Sequence, residues 1–210
     1  MCLNNWGGID HKVLEFHEYV NLFSGKSGSG KSTVMDAIQV ILYGSFSPSF
    51  LNKAADDAKN RRSVLSYLRG EQKDGSANRK DCDFCSVIAL EMEDTGTHMI
   101  TCIGIAFEVR KSDSEIKKFV YFSHSGKMPE SEYLTEQGVC YSNQEIKKLV
   151  SARTKSDDNR GKGEVNRIYG SKEAYLGTLY DVILGYIDQN RFITMEKSAI
   201  ALKMTNGTGQ

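Results

Sequence analysis

Eight consecutive residues, Gly25-Lys26-Ser27-Gly28-Ser29-Gly30-Lys31-Ser32, satisfy the pattern G-x-x-x-x-G-K-[ST] at every fixed position. The residue types explain the chemistry. A loop that wraps a polyphosphate with backbone N–H groups leaves no room for Cβ atoms, which accounts for Gly25, Gly28 and Gly30. Lys31 supplies a point charge for the β- and γ-phosphates. Ser32 supplies a hydroxyl ligand for Mg²⁺. With Lys26, Ser27, Ser29 and Thr33, these residues are the candidate site for ATP and Mg²⁺, and they imply binding of a nucleoside triphosphate.

Such a loop works only between a strand and a helix. Lys12–Phe23 alternates in part (Val13, Phe16, Val20, Leu22, Phe23) and reads as a strand, or a hairpin, leading into Ser24-Gly25. After the loop, Val34, Ala37, Ile38, Ile41 and Leu42 recur at helical spacing, predicting a helix over Lys31–Tyr43 that Gly44-Ser45 terminates. The N-terminus of that helix would add its partial positive charge to the phosphate site.

Further along, a short helix is predicted around Arg61–Leu68 and an exposed loop over Gln72–Cys82. Phe84–Glu93, His98–Arg110 and Lys117–Ser123 are rich in Val, Ile, Phe and Tyr, with a turn at Asp94-Thr95-Gly96-Thr97. They read as antiparallel strands spanning 84–123, inserted into the parallel pattern expected around the phosphate loop. Ser142 with Glu145 caps a helix to Ala152, and Ser171 opens another to about Leu184. Thr154–Val165 is polar and charged and reads as a mobile loop, and Arg191–Met204 ends in an apolar strand-like run. The fold class expected is α/β, a P-loop NTPase, over one unit of residues 1–210.

Of the 210 residues, 40% are hydrophobic and 26% charged, which excludes wholesale disorder. No apolar run is long enough to span a bilayer and the N-terminus lacks a signal-peptide pattern, so a soluble, cytoplasmic chain without a membrane partner is expected. Net charge is zero, yet 50–80 and 144–172 each carry eight basic and four acidic residues. Those segments fit solvated loops or contacts to a phosphate backbone. The five cysteines are scattered, and the lone pair Cys82 and Cys85 lacks the further ligands a zinc site needs.

Hydrolases of this type place an acidic residue after an apolar strand. The available runs do not fit: Ile88–Asp94 falls in the antiparallel region and Asp181 inside a predicted helix. The sequence thus carries a phosphate cradle without a recognisable catalytic carboxylate.

The stretch Asn21–Gln39, with Asp36-Ala37-Ile38 after the loop, resembles the start of an SMC-type ATPase head. Asn5-Trp6-Gly7-Gly8-Ile9, Tyr67-Leu68-Arg69-Gly70 and Ala199-Ile200-Ala201-Leu202-Lys203 are similar to the MukB-like, JetC-type subunits of Wadjet plasmid-defence complexes. The resemblance implies the N-terminal lobe of an ABC-type head, a fragment lacking the coiled coil and the C-terminal lobe that brings the signature motif and acidic pair. It implies as partners that lobe, a second head in a homodimer, kleisin-like and accessory subunits, a nuclease, and DNA. By the same resemblance Gln189 is the Q-loop glutamine acting on Mg²⁺ and water, with Gln144 its rival, and Arg61 or Arg62 points at the phosphates. Arg69 would lie near nucleotide or DNA, and Trp6 near the base; the residue types by themselves favour plain surface arginines, an ordinary polar loop and a core tryptophan at these positions. Two other classes compete: a self-contained P-loop kinase or NTPase acting on a small molecule, and a nucleotide-binding, DNA-contacting module without turnover.

Overall fold

The computed structural model describes residues 1–26, 28–47, 63–72, 75–156 and 165–180. Two strands open the chain, β1 (Cys2–Trp6) and β2 (Ile9–Val13), followed by helices α1 (Lys31–Tyr43) and α2 (Val64–Leu68). Then come β3 (Phe84–Glu93), β4 (Ile100–Val109), β5 (Lys118–Ser125), α3 (Asn143–Ser156), β6 (Arg167–Tyr169) and α4 (Lys172–Thr178). The strands form one six-stranded sheet in the order β2-β1-β3-β4-β5-β6, antiparallel at every junction.

Side chains alternate between two cores. Leu3, Ile88, Ile103, Ile105 and Phe107 face Val34, Ala37, Val40 and Ile41 of α1, together with Leu65, Leu68 and Tyr175. Cys2, Val87, Ala89, Ala106, Val120 and Phe122 face Ile146 and Val150 of α3. The phosphate-loop helix and α3 thus lie on opposite faces of the sheet.

Several local expectations hold to the residue. Helix α1 runs over Lys31–Tyr43 and stops at Gly44, in the left-handed conformation, whose N–H bonds the Val40 carbonyl at 2.9 Å. Asp94 Oδ1 accepts from the N–H groups of Gly96 and Thr97 and closes the β3–β4 turn. At α3 the Ser142 and Glu145 side chains satisfy each other's backbone N–H groups, at 2.6 and 3.3 Å.

Other expectations are corrected. The strands of 84–123 are not an insertion into a parallel sheet; they are the centre of the only sheet among the described residues. Short turns join them, and a short turn returns the chain antiparallel. No strand leads into the phosphate loop either. β2 ends at Val13, Leu14 still exchanges backbone hydrogen bonds with Met1, and the chain from Glu15 to Gly25 forms no ladder, with Asn21 closing a side-chain loop onto His17. An extended segment gains hydrogen bonds only from a neighbouring strand, and none lies beside it among the described residues. The strands nearer the N-terminus pair instead through a two-residue turn at Gly7-Gly8. Of the loop expected over 154–165, Thr154–Ser156 belongs to the last turn of α3, where Thr154 Oγ1 donates to the Val150 carbonyl at 3.0 Å. Val165 is buried and its carbonyl accepts from Ser123 Oγ. Residues 157–164, the far part of the helix expected to Leu184, Asp181, and the stretches Arg191–Met204 and Ala199–Lys203 lie outside the described residues.

Candidate functional site: the phosphate-loop cleft

Three glycines set the loop's shape. Gly28 and Gly30 have φ of 83° and 88°, a region an L side chain enters only with strain, and Gly30 is the N-cap of α1. The Ser29 N–H bonds the Lys26 carbonyl at 3.2 Å, drawing the loop into a turn, and the Val34 N–H bonds Gly30 at 3.1 Å, starting the helix. Lys31 reaches back over this turn. Its ammonium donates to the carbonyls of Gly25 and Lys26 at 2.6 and 2.9 Å and to Ser29 Oγ at 3.3 Å, so all three of its N–H bonds are directed at the loop. A charge held this way is already at the mouth of the anion cradle.

The core behind the loop holds it in place. Trp6, fully buried, donates Nε1–H to the Thr33 carbonyl at 2.9 Å and packs against Tyr67 with ring centroids 4.9 Å apart and planes tilted by 38°. The Tyr67 hydroxyl donates to Asp36 Oδ2 at 3.0 Å, which gives that buried carboxylate a partner. Asp36 of the Asp-Ala-Ile segment therefore ties α1 to α2 and is not presented to a ligand.

A cleft of about 820 Å³ opens in front of the loop. One side is Gly28–Thr33; the others are Gly7, Gly8 and Ile9 from the β1–β2 turn, Tyr67, and Gly70, Glu71 and Gln72 after α2. Ser32 and Lys31 are both on its wall.

The expected site residues divide into three groups. Gly25, Lys26, Gly28, Ser29, Gly30, Lys31, Ser32 and Thr33 are brought together as described. Ser27, Arg61, Arg62 and Gln189 lie outside the described residues. Two residues weighed alongside them are elsewhere: Gln144 sits in the first turn of α3, across the sheet from the cleft, and Arg69 turns its guanidinium to the carbonyls of Lys111 and Asp113, at 3.1 and 2.7 Å. Arg69 is thus a tether for the turn after β4. Trp6 is a core residue that supports the loop. Glu91 accepts from the Met128 N–H at 2.6 Å, and no residue of Glu91–Asp94 lines the cleft. Cys85 is half-buried at the start of β3 with its thiol pushed up to about 11 by burial, while Cys82 is exposed. Among the described residues no group of three or more His, Cys, Asp or Glu side chains is placed to hold a metal. For Mg²⁺ the fitting donor is the Ser32 hydroxyl, which would share the ion with phosphate oxygens.

Sequence reasoning missed Arg79. It is 7% exposed, and burial lowers its pKa while Asp10 opposes that shift. It bonds Gly7, Leu68 and Asp10 at the edge of the cleft. No local signal marks it, because its partners are far away in the chain.

Residues 1–58 match the family model described as the P-loop containing region of AAA domain. No curated protein matches the chain. The match covers the β1–β2 hairpin, the phosphate loop and α1, and it supports a P-loop, nucleotide-binding region over this part of the chain. No helix among the described residues is long and apolar enough to cross a membrane.

Proposed function

We propose that the chain is the ATP-binding lobe of an SMC-like ATPase, acting on DNA in plasmid defence or chromosome maintenance. The observation that carries the reading is the cleft itself, with Lys31 and Ser32 on one wall beside loop glycines held at positive φ. A bound Mg²⁺ would neutralise charge between the phosphate oxygens. The chain's own residues do the rest: glycine backbone N–H groups cradle the phosphates, Lys31 exchanges its loop carbonyls for phosphate oxygens, and Ser32 orients the metal.

Two further observations support a lobe that is completed by a partner. The segment that precedes the loop in sequence exposes Tyr19 (86%), Val20 (77%) and Leu22 (90%), apolar surface that a second lobe would cover. Glu71 is the only carboxylate among the described residues that line the cleft, and one of its oxygens already accepts the Ser66 hydroxyl at 2.6 Å. The acidic catalytic pair would come from the C-terminal lobe, and closure from a second head. Exposed lysines on α3, Lys147 and Lys148, suit contact with DNA.

Calorimetric titration of Mg-ATP into the wild-type chain and Lys31→Ala tests the proposal. Binding in the wild type and its loss in the variant are expected, with melting temperatures equal within about 2 °C because, among the described residues, the Lys31 ammonium bonds only to the exposed loop before the helix. Equal affinity in both proteins would remove the reading. Phosphate release that depends on Lys31 in this chain alone would transfer support to the self-contained NTPase or kinase.

A further inference from the structure

An open sheet has two edges, and here they differ. β6 is three residues long, too short to template another strand. β2 is the five residues Ile9-Asp10-His11-Lys12-Val13, and among the described residues no strand lies beyond it. The register decides which of its backbone groups face outward. Met1 and Leu14 exchange both N–H···O=C bonds, at 2.8 and 2.9 Å. Pairs alternate along an antiparallel ladder, so Leu3 and Lys12 exchange bonds as well, while Cys2–Val13 and Asn4–His11 do not. The N–H and C=O groups of His11 and Val13 therefore point to the open edge, and Ile9 occupies the next such position.

The side chains along this edge complement themselves. Laid antiparallel about His11, the strand sets Asp10 opposite Lys12 of a second copy, and Lys12 opposite its Asp10. These are the pairs that would share no hydrogen bond, where facing side chains come closest. Asp10 remains 81% exposed although Arg79 holds one of its oxygens, and Lys12 is exposed. At either end Ile9 meets Val13, both half-buried and β-branched. His11 falls on the axis, with its ring turned inward onto Asn4 of β1 and Glu132, at 2.6 and 2.7 Å. Past Val13 the second chain would cross Gly8, where an added Cβ meets nothing within 4 Å.

The charges also fix the register. A slip of two residues keeps every side chain on its face of the sheet. In one direction that slip brings Asp10 against Asp10, and in the other Lys12 against Lys12. Like charges directly opposite are unfavourable, so only the arrangement centred on His11 satisfies both residues.

We propose that two copies of this chain join through β2, antiparallel about a two-fold axis at His11, so that one sheet runs through both molecules. The interface is isologous: each copy gives the same Asp10 and Lys12 and receives the other's. It is short, so the dimer is a weak one held by backbone bonds and two ion pairs. Closure of two heads over nucleotide is a separate contact, and this one needs no ligand.

Light scattering after size exclusion, without nucleotide, tests the proposal on wild type, Lys12→Glu, Asp10→Lys and an equimolar mixture of the two variants. Thermal melts first confirm that each protein is folded. At about 100 µM, where a micromolar contact is largely formed, wild type is expected at twice the monomer mass. Each variant alone sets like charges across the axis and is expected as a monomer. The mixture restores opposite charges at both positions, Asp10 against Lys12 and Glu against Lys, and is expected to dimerise again. Should Asp10→Lys fail to fold, Asp10→Asn, which keeps an acceptor for Arg79, takes its place. Its mixture with Lys12→Glu is then expected to associate more strongly than Lys12→Glu does alone. A monomeric wild type, a dimer that survives either charge reversal, or a mixture that stays monomeric overturns the proposal.

Discussion

A methyl group on Gly25 would lie 2.6 Å from Ser29 Oγ, at a backbone φ of 152°. Ser29 Oγ also accepts from Lys31, so the displacement would reach the charge that meets the phosphates. Gly25→Ala should therefore weaken ATP binding by roughly tenfold, the equivalent of about 1.4 kcal/mol, with little change in thermal stability. Titration beside a melting curve checks both halves. Trp6 is the opposite case, a residue whose effect is on folding. Trp6→Phe keeps most of the buried ring and removes the donor to the Thr33 carbonyl. The expected cost is about 1–2 kcal/mol, read as a lower urea midpoint at unchanged slope.

At the scale of elements, the centre of the sheet is closely packed at one position. Gly104 in β4 pairs with Ala89 and Phe122. A Cβ there would approach the Ile88 carbonyl oxygen to 2.5 Å and Phe122 Cζ to 2.7 Å. The backbone oxygen cannot swing away, so Gly104→Ala should cost about 1–3 kcal/mol, measured by chemical denaturation. Helix α3 depends on its cap. Ser142→Ala removes the acceptor for the Glu145 N–H and the hydroxyl that donates to the Glu145 carboxylate, and should cost about 1 kcal/mol in the same assay. Hydrogen exchange should then show α3 opening before α1, since the two pack on different faces.

Across the whole molecule, the α3-side core contains a buried titratable group. His124 is fully buried; Nδ1–H donates to the Ser125 carbonyl and Nε2 accepts from the Tyr133 hydroxyl, both at 3.0 Å. Burial holds its pKa below the ordinary value, against a smaller raising effect of the Ser125 bond. As pH falls through about 6.5 the unfolded chain takes up a proton that the folded chain refuses, so stability falls with acidification until the lower folded pKa is reached. The slope from this one group approaches about 1.4 kcal/mol per pH unit. Denaturation curves from pH 7.5 to 5 should show this decline, and His124→Gln should flatten it.

Much of the site was legible because it is local. The phosphate loop is specified by glycines and a lysine within eight residues, α1 by the spacing of its apolar residues and Gly44, and α3 by a serine and a glutamate three apart. These structures satisfy their own hydrogen bonds with near neighbours, so composition and spacing suffice. The remaining features needed the tertiary structure. Arg79 acts on Gly7 across 72 positions, Tyr67 meets Asp36 across 31, and Arg69 answers to carbonyls more than 40 residues away. Gln144 was excluded from the cleft only by the face of the sheet that α3 covers. The apolar segment before the loop has the composition of a strand but no strand beside it among the described residues. In each case the outcome depends on which distant backbone group arrives alongside. The sequence alone determined the phosphate cradle; the packing of two remote turns against it decided the shape of the cleft.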